Sequence, residues 1–563
     1  MVERPGGPAG GPKLTRRRAL AAGATGGAGL WALGTGTAHA EAAAQTTFDD
    51  TGMQVVTGAT VQAALEATDA RLEGTLGGPG VINVRDYGAL GDGVTNDMPA
   101  VIDAVIAEKS SPNPLEWLPR FDPAVGGVLY FPPGRYLLHG LLTVWYPGLH
   151  LVGAGMGVTT LVFHQAGYSG DPDLAPKLWF TDPRFDRRIH DVGLHDLTVT
   201  TDVELGPETP REIGDTVLKC FQVDRLQISG VEVHDSPSFG LSIWDCTDVT
   251  VDRCYVHDTH IDGIHLASVR RGVVSGCRID HTGDDGIAVS GGSAPGAEQI
   301  LGRQVVVSSN VVTRSGSRGI AVFGADGVVV QGNSVSGTHQ AGIGVNLDAL
   351  PWECRNVVIV ANHLDGIGLY GEDGDTLWGA GIPYAVGVGT DHGGEAITVE
   401  NVLVEGNVVG ETRNGYLRVE QAQDVTVASN RFHGPVTTEQ PAPGSIQQQG
   451  SLGQGVMFPP APPYSGGATP VFPGLRVRRS PRVRLDANTL RPAAGERAVL
   501  VEGHTAAEVT WSRVSGNTID RGAAPPLGTG GADEIAAEPT GVVVHQTGND
   551  VNGLALAPET TPA

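Results

Sequence analysis

VTVDRCYVHDTHIDGIHLASVRRGVVSGCRIDHTGDDGIAVSG, residues 249–291, contains two consecutive units with matching ends. One closes on Asp262-Gly263-Ile264, the next on Asp284-Asp285-Gly286-Ile287. Gly263 and Gly286 lie 23 residues apart, and so do Cys254 and Cys277. A repeat of that length fits one coil of a stacked structure. Stacking would bring three carboxylates onto one patch of surface.

The repeat extends in both directions. A glycine before an aliphatic residue recurs at Gly240, Gly263, Gly286, Gly319 and Gly342, in steps of 23, 23, 33 and 23. Nine positions earlier stand Val231, Cys254, Cys277, Asn310 and Asn333, and Asn362, Asn407, Asn430 and Asn517 come to similar places later. Stacked asparagines can satisfy their buried amides up and down a ladder. Short valine-rich strands such as 305–307 and 328–330 recur once per unit. The expected fold is all-β: a right-handed parallel β-helix, quasi-one-dimensional, with an N-terminal capping helix. The 82 glycines of the 563-residue chain suit such a turn-rich solenoid.

Four segments are expected. Residues 1–40 carry Arg16-Arg17-Arg18, an uncharged Ala/Gly/Leu run and Ala38-His39-Ala40, the pattern of a twin-arginine export signal. A secreted, extracellular bacterial product follows from that reading. Residues 41–80 form a stem, where Val61, Leu65, Thr68 and Leu72 make a short apolar stripe that could join copies into a homo-oligomer such as a trimer. Residues 81–521 form the β-helix, and 522–563 a loose tail or partial cap. Removing residues 1–40 leaves 32 basic residues against 61 acidic ones, a net charge of −29. That surface repels nucleic acid and anionic membrane. The five cysteines form no Cys-x-x-Cys pair; they suit small buried ladder positions, although stacked Cys254 and Cys277 could also pair.

Residues 82–97, the helical run Met98 to Lys109, and Gly127-Val-Leu-Tyr-Phe-Pro-Pro-Gly-Arg135-Tyr resemble the opening of the pectate-lyase-like β-helix superfamily. The resemblance implies a turn and a helix closing the first coil. Asp92 reads as a turn residue and Asp97 as the helix N-cap, with Thr95 as an alternative cap.

Alignment on the marker glycines places Phe239, Asp262, Asp285, Arg318 and Ala341 in one column, and Ser238, Ile261, Asp284, Ser317 and Gln340 in the column before it. His260 and His339 share the column before that. His265 should point outward, beside the carboxylates. Carboxylates on coils ~4.8 Å apart cannot ionise independently, and one raised pKa would make a general acid. A carboxylic acid and a carboxylate beside a groove are what glycosidic hydrolysis requires.

The constellation is similar to that of polygalacturonase-type glycoside hydrolases. That family has an Asn-Thr-Asp-Gly coil, a Gly/Gln-Asp-Asp-Cys coil, a Gly-His-Gly coil and then Arg-Ile-Lys. His260-Ile261-Asp262-Gly263 matches the first at its Asp-Gly, and Gly283-Asp284-Asp285-Gly286 matches the second. Gly316-Ser317-Arg318-Gly319 carries Arg where the third has His, and no Arg-Ile-Lys is present. The resemblance implies Asp262, Asp284 and Asp285 as catalytic residues, with Asp285 or Asp262 as the acid. His260, His265, Arg318 and His339 are candidate sugar-binding or charge-balancing groups. Trp352 and Trp378, in long insertions, are candidate sugar platforms. No cofactor or metal is required for hydrolysis. A polysaccharide lyase or uronate epimerase on the same fold, with Ca²⁺ in the Asp cluster, is the alternative. A fructan transferase or a non-catalytic carbohydrate-binding protein also remains open.

Overall fold

The computed structural model describes residues 80–561 apart from several insertions, the longest being 206–215, 369–383, 390–397 and 438–472. The expected export segment, the stem at 61–72, Trp352 and Trp378 lie outside the described residues. All described residues belong to one compact unit, residues 73–563.

This unit is a right-handed parallel β-helix. One coil runs Ile264–Ala267, Arg270–Ser275 and Arg278–Thr282, and the next begins at Ile287–Ser290. The first strand of each coil joins a front sheet, thirteen-stranded among the described residues; the other two join the larger sheet behind it. Alternation decides what faces inward. Leu241, Ile264, Ile287, Ile320 and Ile343 stack in register, as do Ile243, Leu266, Val289, Val322 and Val345. All ten side chains are buried, each worth about 1.5–3 kcal/mol against exposure. Ile287 pairs with Ile320 despite the longer sequence step, so the register of the stack is kept across it.

The bend between the two rear strands has a fixed chemistry. A left-handed residue occupies each corner: Arg253, Gly276, Ser309, Gly332 and Ala361 have φ between 52° and 62°. The residue after each corner turns inward, giving Cys254, Cys277, Asn310, Asn333 and Asn362. From Asn310 onward each asparagine Nδ2 donates to the next Oδ1 at 2.9–3.1 Å, and the ladder continues through Asn407, Asn430, Asn488 and Asn517 to Asn549. Asn488 and Asn549 join the asparagines expected from the sequence. All five cysteines are free and buried.

Two boundaries and one cap differ from expectation. The helix is Met98–Val105, because Ile106–Glu108 turns extended and pairs antiparallel with Leu118–Pro119. Met98, Val101 and Ala104 seal the first coil. Asp97 occupies the N-cap position, but its carboxylate accepts from the Leu90 and Gly91 N–H groups instead of capping the helix. Asp92 is the turn residue expected, accepting from Val94 and Thr95. At the other end the stack runs past residue 521. Ile535–Glu538 adds a rung to the front sheet and Val542–Thr547 one to the rear. Leu554–Ala555 and Glu559–Thr561 then fold back antiparallel across the last coil. Among the described residues, no helix is long and apolar enough to cross a membrane.

Candidate functional site

The turns that lead into the front sheet place the acidic residues. A Cβ on Gly263 would lie 2.7 Å from the Gly286 carbonyl oxygen, and one on Gly286 2.6 Å from that of Gly319. Only glycine permits this approach, which keeps Asp262, Asp285 and Arg318 directly over one another. A Cβ on Gly283 would come 2.1 Å from the His260 carbonyl oxygen. Thr282 Oγ1 holds the same turn by donating to the Asp284 carbonyl at 2.8 Å.

The side chains then interlock across coils. Asp262 Oδ1 accepts the Asp285 N–H at 3.0 Å, and its Oδ2 lies 2.5 Å from His265 Nδ1. His265 Nε2 reaches Ser290 Oγ at 2.9 Å. Asp285 Oδ1 accepts both the backbone N–H and Nε of Arg318 at 2.9 Å, while Oδ2 accepts Nη2 at 2.7 Å. Arg318 rests over the Phe323 ring, 5.3 Å from its centroid. Asp262 and Asp285 are buried, whereas Asp284 is half-buried.

One oxygen from each of Asp262, Asp284 and Asp285 lies within 4.8 Å of the others, close enough to share a cation. A Ca²⁺ there would have to share these oxygens with positive and hydrogen-bonding groups already present, since it takes six to eight oxygen ligands. Both Asp285 oxygens already accept from a guanidinium, and an Asp262 oxygen is committed to His265.

Five residues singled out in the sequence therefore converge: Asp262, Asp284, Asp285, His265 and Arg318. His260 is 1% exposed, which leaves almost none of it for a substrate. His339 stands three coils away from His260 in the same column, about 14 Å along the stack. Ser290 was missed, as were the contacts of Phe239 and Trp244. Phe239 meets the His265 ring edge-on at 4.8 Å, and Trp244 lies parallel to it at 6.0 Å. The signal was in the columns: Trp244, Ala267, Ser290 and Phe323 all lie four residues after a marker glycine and point outward with the histidine.

On the N-terminal side of His265 the front sheet carries a cavity of about 760 Å³. Trp179, Phe185, Phe221, Phe239 and Trp244 line it, together with Lys219. Lys219 Nζ stands 5.1 Å from the Trp179 ring centroid.

Residues 239–432 match the family model described as a right handed beta helix region. Mannuronan C5-epimerase AlgE1 of Azotobacter vinelandii is 25% identical over 191 residues, 32% of this chain and 12% of the relative. Mannuronan C5-epimerase AlgE5 of the same organism is 25% identical over 279 residues, 46% of this chain and 24% of the relative. The chain thus spans a quarter or less of the length of these curated relatives. Among solved structures, pre-mature bacteriophage phi29 gene product 12 superposes with a TM-score of 0.57 at 13% identity, covering 89% of this chain and 60% of that one. That likeness is one of fold.

Proposed function

We propose that the chain is a secreted, polysaccharide-acting enzyme that hydrolyses glycosidic bonds at the three-Asp centre. The observation that carries the reading is the convergence of Asp262, Asp284 and Asp285, with one oxygen of each within 4.8 Å, on the outer edge of the front sheet. Hydrolysis needs one carboxyl to protonate the leaving oxygen and another to activate water. The roles follow from what each carboxylate already holds. Asp285 is committed to Arg318 and serves as a fixed anion beside the positive charge that develops on the sugar ring. Asp284, the most open of the three, gives its proton to the glycosidic oxygen as the C–O bond breaks. Asp262, hydrogen-bonded to His265, takes a proton from the attacking water. The acid role thus moves from Asp285 or Asp262, as first read, to Asp284.

A second reading has its own support. The curated relatives named above are epimerases, and the Asp262–His265–Ser290 chain could draw a proton from sugar carbon as readily as from water. Hydrolysis is favoured because three carboxylates against one arginine make a poor host for a uronate carboxylate.

The test is product analysis on oligomers of mannuronate, galacturonate and α-1,3-linked glucose. New reducing ends without ultraviolet-absorbing unsaturated ends, abolished in Asp284→Asn and Asp285→Asn, are expected. Inversion at C5 with no new reducing end would establish the second reading instead.

A further inference from the structure

The outward-facing column of the front sheet changes character at the Asp centre. Toward the N-terminus it reads His265, Ser242, Lys219, Trp179, with Trp244 and Phe221 in the column beside it. Lys219, Phe221 and Trp244 are partly open, and the cavity of about 760 Å³ lies over them. Toward the C-terminus it reads Ala288, Ala321, Gly344, Gly387, Arg418. These side chains are too small to shield themselves on an open sheet. Yet Ala288 and Ala321 are 0% exposed, and Gly344 and Gly387 are buried too. The neighbouring column is closed as well: Ser290 is 1% exposed and Asn346 0%. On the N-terminal side a cavity lies over the face although Ser242 and Trp179 are only 2% and 9% exposed, while on the C-terminal side the small outward side chains are covered.

We infer that the active site is a blind-ended cleft that takes the end of a glycan chain. The chain lies along the helix axis, over Trp179, Phe221 and Trp244, and only its last units reach Asp284. The inference rests on the carboxylate reading above. The floor from the Trp179 strand to the His265 strand spans three coils, about 14 Å, so it holds a few sugar units. Aromatic side chains fit the apolar faces of pyranose rings, and their spacing on successive coils suits a ligand that repeats along the same axis. Trp244 links cleft and chemistry, because it stacks on the histidine that bonds Asp262. A glycan bound through its middle would have to continue past Ala288 and Ala321, which are already covered and pack with Phe323.

The test uses the full chain and the same three oligomers, labelled at one end and longer than the floor. Sizing of the earliest products should show a single short species and stepwise loss from one end. Fragments cut from the middle of the oligomer in the first samples would overturn the blind end while leaving the Asp assignment standing. Trp179→Ala and Phe221→Ala, which do not touch His265, should each raise KM about fivefold or more with kcat little changed. An unchanged KM in both would overturn the aromatic floor. If none of the three oligomers is cleaved and Asp285→Asn alters the binding of none, the carboxylate reading falls and this inference with it.

Discussion

Arg318 and Asp285, 33 residues apart in sequence, form a bidentate ion pair on adjacent coils, with Nε to Oδ1 at 2.9 Å and Nη2 to Oδ2 at 2.7 Å. Their side chains are 7% and 3% exposed. Removing one partner strands the other charge where water cannot reach it. Arg318→Met should cost about 3–5 kcal/mol of unfolding free energy in urea. The double variant Arg318→Met/Asp285→Asn should cost less than Arg318→Met alone. A double variant less stable than either single one would show that the pair does more than neutralise itself.

The ladder behind the stack predicts an asymmetric exchange. Asn333 donates from Nδ2 to the Val307 carbonyl and to Asn362 Oδ1, both at 3.0 Å, and accepts from the N–H and Nδ2 of Asn310. Asn333→Ala leaves several buried groups short of partners and should cost about 2–4 kcal/mol. Cys277 sits one rung above Asn310, and its N–H already donates to Asn310 Oδ1 at 2.9 Å. Cys277→Asn should therefore be tolerated, within about 1 kcal/mol of the parent, since an amide there finds the same kind of partners. Thermal midpoints of the two variants check the contrast.

Much of this ladder was legible because its signal is periodic. A 23-residue step repeats an inward side chain, and the side chain names its own partner. The marker glycines were legible for the same reason, though the sequence alone does not say that a Cβ on Gly286 would strike the Gly319 carbonyl oxygen. What escaped depends on contacts between columns. Ser290 is an ordinary serine until the coils are stacked and its hydroxyl meets His265 Nε2. The burial of His260, 1% exposed, is a product of how the coils stack, and no local pattern announces it. The helix boundary was missed at Ile106, where pairing with Pro119 outweighs the continuing helical pattern.

Histidines on the rear sheet set opposing pH dependences. Burial, with the charge of His150 adding to it, pulls the His195 pKa down from 6.5 to about 4. The folded state therefore prefers neutral His195. Its contribution is full above pH 6.5 and is lost as the pH falls toward 4. His257 runs the other way. Burial alone would lower its pKa, but Asp258 and Glu232 outweigh burial and raise it. Its contribution is full below 6.5 and is lost as the pH rises through the raised value. His195→Asn should thus gain on wild type as the solution is acidified from about pH 7.5 to about pH 5, and His257→Asn should lose ground over the same range. Thermal midpoints across that window decide; parallel curves for the two variants would refute the assignment.

Asp262, His265 and Ser290 form a chain of carboxylate, imidazole and hydroxyl, joined at 2.5 Å and 2.9 Å. If proton transfer at the proposed centre runs through the imidazole, the geometry requires both ring nitrogens, one for Asp262 and one facing the serine. His265→Gln keeps a polar side chain but loses the relay, and should lower kcat by about 10²–10⁴ with little change in KM. Ser290→Ala removes only the far partner and should cost far less. The opposite pattern, a raised KM with kcat preserved in His265→Gln, would make the histidine a sugar-binding group and leave Asp262 to act alone. Trp244→Phe separates packing from proton transfer, because it keeps an aromatic ring beside His265 without touching either hydrogen bond. Its kcat should stay close to that of wild type while that of His265→Gln falls, and a matching fall in both would mean that the ring is held in place only by its aromatic neighbours.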